Sequence, residues 1–100
     1  MASERLDTTR LQAMALAYQQ SAALMAAVEI DLFTAVSQGA NTIDAVAARL
    51  DITRRNAERI LTALTAMELL SKSGETYANA PDVERFLVKG SPRYAGPWIT

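Results

Sequence analysis

From Ala22 to Val28 the chain reads AALMAAV, and a helix carrying that run has no polar face. Such a helix has to be buried on more than one side. A chain of 100 residues makes one small domain with a single core, which can cover one side of it. Two arrangements satisfy the run: a central core helix, or a helix shared between this core and a second subunit or domain. The many Ala residues, which let a partner helix approach closely, favour sharing. A membrane anchor is the weaker alternative, because Gln19, Gln20, Glu29 and Asp31 flank the run and nothing later approaches the roughly 18 uninterrupted apolar residues of a span. The polar start MASERLD has no apolar signal-peptide region, so a cytoplasmic protein without membrane contact is expected.

The run sits inside a longer helical signal over residues 7–38. Thr8 or Thr9 can cap its start, and Leu11, Met14, Tyr18, Met25, Val28 and Leu32 follow heptad spacing, interrupted at Ser21. Leu11, Met14, Tyr18, Ala22, Met25 and Val28 are therefore the candidate interface of a homodimer. Met14, Tyr18 and Met25, with Trp98 near the far end of the chain, are also candidates for lining a pocket, although residues of these types more often belong to a core or an interface.

Gly39 ends this region. Asn41 or Thr42 caps a short helix with Ile43, Val46, Ala47 and Leu50 at positions i, i+3, i+4 and i+7. Thr53 caps the next, in which Ala57, Ile60, Leu61, Leu64 and Met67 point inward and Arg55, Glu58, Arg59 and Thr62 outward. The tight LDIT connection makes the pair a helix-turn-helix. After Leu70 the period changes: LLSK and ETYA flank Ser73-Gly74, a turn pair able to supply positive φ, which predicts a β-hairpin wing. The expected fold is thus mainly α, one domain over residues 1–100. It is a winged helix-turn-helix (41–80) with a small β-hairpin, a long N-terminal helical region (7–38) and a helical exit (81–100). In that exit Val83, Phe86 and Leu87 form the apolar side of a helix that starts at Pro81 and closes at Gly90. A further helix starting at Ser91-Pro92 is expected to be disturbed by Gly96-Pro97, and Trp98 and Ile99 suggest docking onto a partner or a chain that continues.

A winged helix raises the question of DNA. Between residues 41 and 80, Arg49, Arg54, Arg55, Arg59 and Lys72 are matched in number by Asp44, Asp51, Glu58, Glu68 and Glu75, so the face is neutral. Phosphate contacts supply most non-specific affinity, and the net charge of -1 adds no pull. Pairing of Arg54 and Arg55 with Glu58 at i+4 and i+3, worth about a few tenths of a kcal/mol, is the simpler account of these side chains. No nucleic-acid partner is expected. The chain has neither Cys nor His, which removes disulfides, thiolate metal sites, the commonest metal ligand and the commonest general base. Gly39, Gly74, Gly90 and Gly96 are scattered and make no phosphate-cradling loop. No catalytic, cofactor-binding or metal-binding residue is assigned in this chain.

The pieces AAVEIDLFTAV, TIDAVAARL, the arginine-rich helix ending in ALTAMELL, the wing to YANA, and FLVKGSPRY follow one another in an order that resembles a known family. It is the N-terminal winged-helix dimerisation domain of S-adenosylmethionine-dependent small-molecule O-methyltransferases, and the resemblance covers nearly the whole chain. Asp31 and Asp51 stand where such sequences often have Gly, and Asp tolerates left-handed backbone. The resemblance implies helices that interlock with a second subunit and help wall the acceptor pocket. It places the S-adenosylmethionine site and the catalytic His in a C-terminal Rossmann-like domain. The expectation is therefore an N-terminal piece, or a separately made domain, of an O-methyltransferase acting on a hydroxylated aromatic or polyketide-like compound, inactive alone. The alternative is a winged-helix DNA-binding transcription regulator, since one architecture hosts both roles.

Overall fold

The computed structural model describes residues 6–99. Helix α1 (Thr9–Glu29) leads through a short corner into α2 (Leu32–Ser37), followed by α3 (Ile43–Leu50) and α4 (Arg54–Ala66). A hairpin of β1 (Leu70–Ser73) and β2 (Thr76–Asn79), then α5 (Pro81–Phe86) and α6 (Gly96–Ile99), complete the chain. This is the mainly helical winged helix that the sequence leads one to expect.

The first third is two helices rather than one. Asp31 takes φ 62 at the corner, a left-handed conformation that a short polar side chain tolerates better than most. Its carboxylate accepts from Lys89 Nζ at 3.0 and 3.1 Å, tying the corner to the chain beyond α5. The exposed pair braces the angle between α1 and α2, and its hydrogen bond holds the Lys89 ammonium above its ordinary pKa.

Helices α3 and α4 begin as their sequences dictate. Thr42 Oγ1 accepts from the Ala45 amide at 3.1 Å and Thr53 Oγ1 from the Asn56 amide at 3.0 Å, each satisfying one orphan donor of a first turn. Three helices end alike. After α2, α3 and α4 the chain turns left-handed at Gly39, Asp51 and Glu68, and the next residue's amide reaches back five positions: Ala40 to Ala35, Ile52 to Ala47 and Leu69 to Leu64, at 2.9, 3.0 and 3.0 Å.

In the hairpin, Ser73 pairs with Thr76, so the two loop residues are Gly74 and Glu75, one position later than the expected Ser73-Gly74. The reason is the buried face: Leu70 and Tyr77 must both turn inward, and that sets the register. Helix α5 stops at Phe86 instead of running to Gly90. Helix α6 starts at Gly96-Pro97, where a break was expected, because proline suits a first helical turn.

Phe33, Leu32, Leu61, Leu64, Val46 and Val83 are fully buried and form one core to which α2, α3, α4 and α5 all contribute. Val28 at the end of α1 and Tyr77 of the wing join the same cluster, and Ile99 packs against it from α6. Among the described residues no helix is long and apolar enough to cross a membrane.

Candidate functional site

Helix α1 is anchored at one end only. Ala27 and Val28 are buried, Ala23 and Leu24 are half-buried, and every residue from Leu6 to Ala22 is exposed. The molecule measures 55 × 30 × 22 Å with a radius of gyration of 16.0 Å, against about 13 Å for a compact domain of this length. The first four turns of α1 form an arm standing off the body.

That arm carries large apolar side chains into solvent: Leu11 is 58%, Met14 61%, Tyr18 75% and Met25 40% exposed, and Ala22 is exposed beside them. The heptad seam therefore divides. Its upper part is free for a partner, whereas Val28 at 6% and Leu32 at 0% lie in the core of their own domain. Val28 is thus corrected from an interface residue to a core residue, because α1 meets the body there and the inner side of its last turn is covered. Of the candidate pocket residues, Met14, Tyr18 and Met25 share the open face of α1, and the side chain of Trp98 lies outside the described residues.

A stronger sequence signal is the absence of charge. From Leu11 to Val28 there is no Asp, Glu, Lys or Arg, a stretch of 18 residues, longer than the AALMAAV run. An exposed helix without charge is unusual on a protein that stays alone in water.

At the foot of the arm a groove of about 340 Å³ opens between α1 and α4, lined by Leu16, Gln19, Gln20, Ala23, Ala63, Ala66 and Met67. Its floor is mostly aliphatic, and the two glutamine amides supply its polar groups.

The outward face of α4 keeps the expected pair of Arg54 with Glu58 and otherwise departs from expectation. Arg54 donates through Nε to Asp44 Oδ1 at 2.9 Å, bridging α3 and α4, and lies 4.0 Å from Glu58. Arg55 makes no ion pair with Glu58, and among the described residues neither Arg55 nor Arg59 has a carboxylate partner. Lys72 of the wing lies 5.6 Å from the centre of the Tyr77 ring. The difference at Arg54 arises because Asp44, ten residues earlier, is brought alongside by the helix-turn-helix, a neighbour that spacing within one helix does not reveal.

A second polar cluster ties the body together. Ser37 Oγ donates to Glu84 Oε2 at 2.6 Å, and Asn79 Nδ2 donates to Glu84 Oε1 and to the Phe33 carbonyl, both at 2.9 Å. The two donors hold the Glu84 carboxyl below its ordinary pKa. This cluster joins α2, β2 and α5. It has the character of a brace, since Glu84 is its only titratable group.

The sequence pattern of the O-methyltransferase dimerisation domain matches residues 13–89. The chain is 42% identical over 80 residues to the N,N-dimethyltransferase OxyT of Streptomyces rimosus, a match covering 80% of this chain and 23% of OxyT. It is 38% identical over 84 residues to the tetracenomycin polyketide synthesis 8-O-methyl transferase TcmO of Streptomyces glaucescens, covering 83% and 25%. The solved structure of PigF with S-adenosylhomocysteine superposes with a TM-score of 0.83 at 27% identity, covering 95% of this chain and 28% of PigF. The chain thus spans about a quarter of the length of the curated relatives that it matches. With a winged-helix body, an unpartnered first helix and the family pattern running through both, this chain belongs to the O-methyltransferase dimerisation domain family.

Proposed function

We propose that this chain is the dimerising and pocket-bracing domain of an S-adenosylmethionine-dependent O-methyltransferase that modifies a small hydroxylated aromatic or polyketide-like compound in the cytoplasm. The observation that carries the reading is the exposed, charge-free arm of α1, which suits a homodimer formed through Leu11, Met14, Tyr18, Ala22 and Met25. In that dimer Met14, Tyr18 and Met25, which share the open face of α1, also contribute to the wall of a neighbouring acceptor pocket. The acceptor class is supported by TcmO, named for polyketide synthesis; OxyT is named for methyl transfer to nitrogen, so the family domain by itself accompanies both acceptor atoms.

S-adenosylmethionine supplies the methyl group in this reading, in a linked C-terminal domain. The described residues do not fit it. Their only sheet is a two-stranded hairpin, and its Gly74 lies in an exposed turn that leads into another strand, not in a glycine-rich loop opening a helix. No step of methyl transfer is assigned to them. No specific observation favours the DNA-binding alternative: Arg54 is engaged by Asp44, and Glu58 sits between Arg55 and Arg59 along α4.

Light scattering on the 100-residue chain at about 100 μM is expected to give a dimer mass. A monomer mass would overturn the dimerising role. Calorimetry with S-adenosylmethionine is expected to show no heat, and saturable binding would mean that this chain holds a cofactor site of its own.

A further inference from the structure

Between the α1–α2 corner and the far end of α3 lies a second groove, of about 520 Å³, whose lining is charged where that of the α1–α4 groove is not. Its charged groups are Asp31, Arg49 and Lys89, so two positive charges meet one negative and the groove keeps a surplus of one positive charge. Asp31 is engaged by Lys89. Arg49 donates to the neutral Gln38 Oε1 and has no carboxylate partner among the described residues. Its place in the last turn of α3 accounts for a cation there, but it supplies no acceptor for the rest of a five-donor fork. A further donor lies deeper. Thr34 is only 9% exposed, and its Oγ1 accepts from the Lys89 amide at 3.0 Å. A hydroxyl also has a proton to give, and among the described residues nothing accepts it. The carbonyls that close α2 beside it, those of Thr34, Ala35 and Val36, already accept from the amides of Gln38, Ala40 and Gly39.

We infer that this groove binds a small organic carboxylate, its anionic end taken by Thr34 and Arg49 and its apolar body lying against Ile30 and Leu50. The donors match the ligand in kind, since the planar guanidinium fork takes a carboxylate through two parallel bonds and a buried hydroxyl without an acceptor gains one. They match in charge, because a single negative charge cancels the surplus of one that Lys89, held on Asp31, leaves in the groove. The space also fits, as about 520 Å³ falls within the roughly 300–1,000 Å³ of small-molecule sites and exceeds what a bare ion fills. Ile30, 37% exposed, and the half-buried Leu50 supply the apolar wall. None of these residues is on the open face of α1, so the site stands or falls separately from the homodimer.

Benzoate is the probe, and benzamide, equal in shape but neutral, is its control. In two-dimensional NMR of the 100-residue chain, benzoate is expected to shift the Thr34, Gln38 and Lys89 amides saturably with a Kd of about 1 mM. Lys89 reports most directly, because its amide is bonded to the hydroxyl that donates to the ligand. Benzamide is expected to leave these resonances in place. Equal shifts from benzamide, or none from benzoate, overturn the inference and leave water as the groove's occupant. Inorganic phosphate that binds more tightly than benzoate at equal ionic strength overturns the choice of a carboxylate. Arg49→Gln, at an exposed position, is expected to weaken benzoate binding by about tenfold or more with the rest of the spectrum unchanged, and an unaltered Kd overturns the role given to Arg49. The contrast between benzoate and benzamide is read on the unaltered chain, so it decides the matter even where a variant misfolds.

Discussion

Asp31, Asp51 and Glu68 all adopt φ between 55 and 62, yet their surroundings differ. Asp31 has Lys89 on its carboxylate, whereas the side chains of Asp51 and Glu68 are exposed and make no ion pair among the described residues. Asp is tolerated in left-handed backbone and Glu less so, and at the end of α4 the five-residue-back bond from Leu69 requires that backbone. Glu68→Gly is therefore expected to stabilise the domain by about 0.5–1 kcal/mol, less than the full relief of strain because glycine also loosens the unfolded chain. A rise of several degrees in thermal midpoint checks it; a fall would show that the Glu68 side chain makes a contribution of its own. Asp31→Gly should be closer to neutral, since it sheds strain and the Lys89 pair together. Glu84 is the residue with a pH signature. Its folded pKa is below the ordinary 4.5, first through the Ser37 hydroxyl and then through Asn79, so its contribution is complete above 4.5 and lost as pH falls through the folded value. Because the carboxylate is exposed, Glu84→Ala should cost only about 1 kcal/mol at neutral pH. Urea titrations of both proteins are expected to converge as the medium is acidified, and a gap that persists in acid would contradict this assignment.

Elements were legible where a cap and an amphipathic period agreed. Thr42 and Thr53 mark the starts of α3 and α4, and the inward residues of α4 are those that its spacing points to. Thr53→Ala is expected to cost about 1 kcal/mol, visible as a lower midpoint in circular dichroism with the fold retained. What the sequence hid is of another kind. The apolar pattern runs unbroken through the Asp31 corner, because Leu32 and Phe33 continue a buried face while the backbone changes direction. The hairpin loop lies one residue beyond its sequence signal because turn chemistry marks Gly74 but not which neighbour shares the loop with it; burial of Leu70 and Tyr77 decides that. The heptad seam is legible as apolar, but periodicity does not say which neighbour covers each turn. Here the body covers Val28 and leaves Met25 open. The α1–α4 groove was out of reach for the same reason, since it joins Leu16 to Ala63 across 47 residues.

At the scale of the whole molecule, an arm exposed from Leu6 to Ala22 adds little to the stability of an isolated subunit. Exposed helices of about four turns are marginal in water even with favourable sequences, so the arm's order depends on what covers it. If a second copy covers it, subunit association and stability are linked: the dimer is favoured by mass action, and a tenfold rise in concentration adds about 1.4 kcal/mol to the association term. The thermal midpoint of the wild-type chain is therefore expected to climb with concentration. Met25→Glu separates this effect from folding. Met25 is 40% exposed within one subunit, so a carboxylate there reaches water in the monomer at small cost, but in the assembled dimer it is desolvated without a partner, a penalty of several kcal/mol. The variant should scatter light as a monomer, with a midpoint lower than the wild type's and flat from about 5 to 500 μM. A variant that stays dimeric with a rising midpoint would place Met25 outside the interface and shift the contact toward the free end of the arm, around Leu11 and Met14.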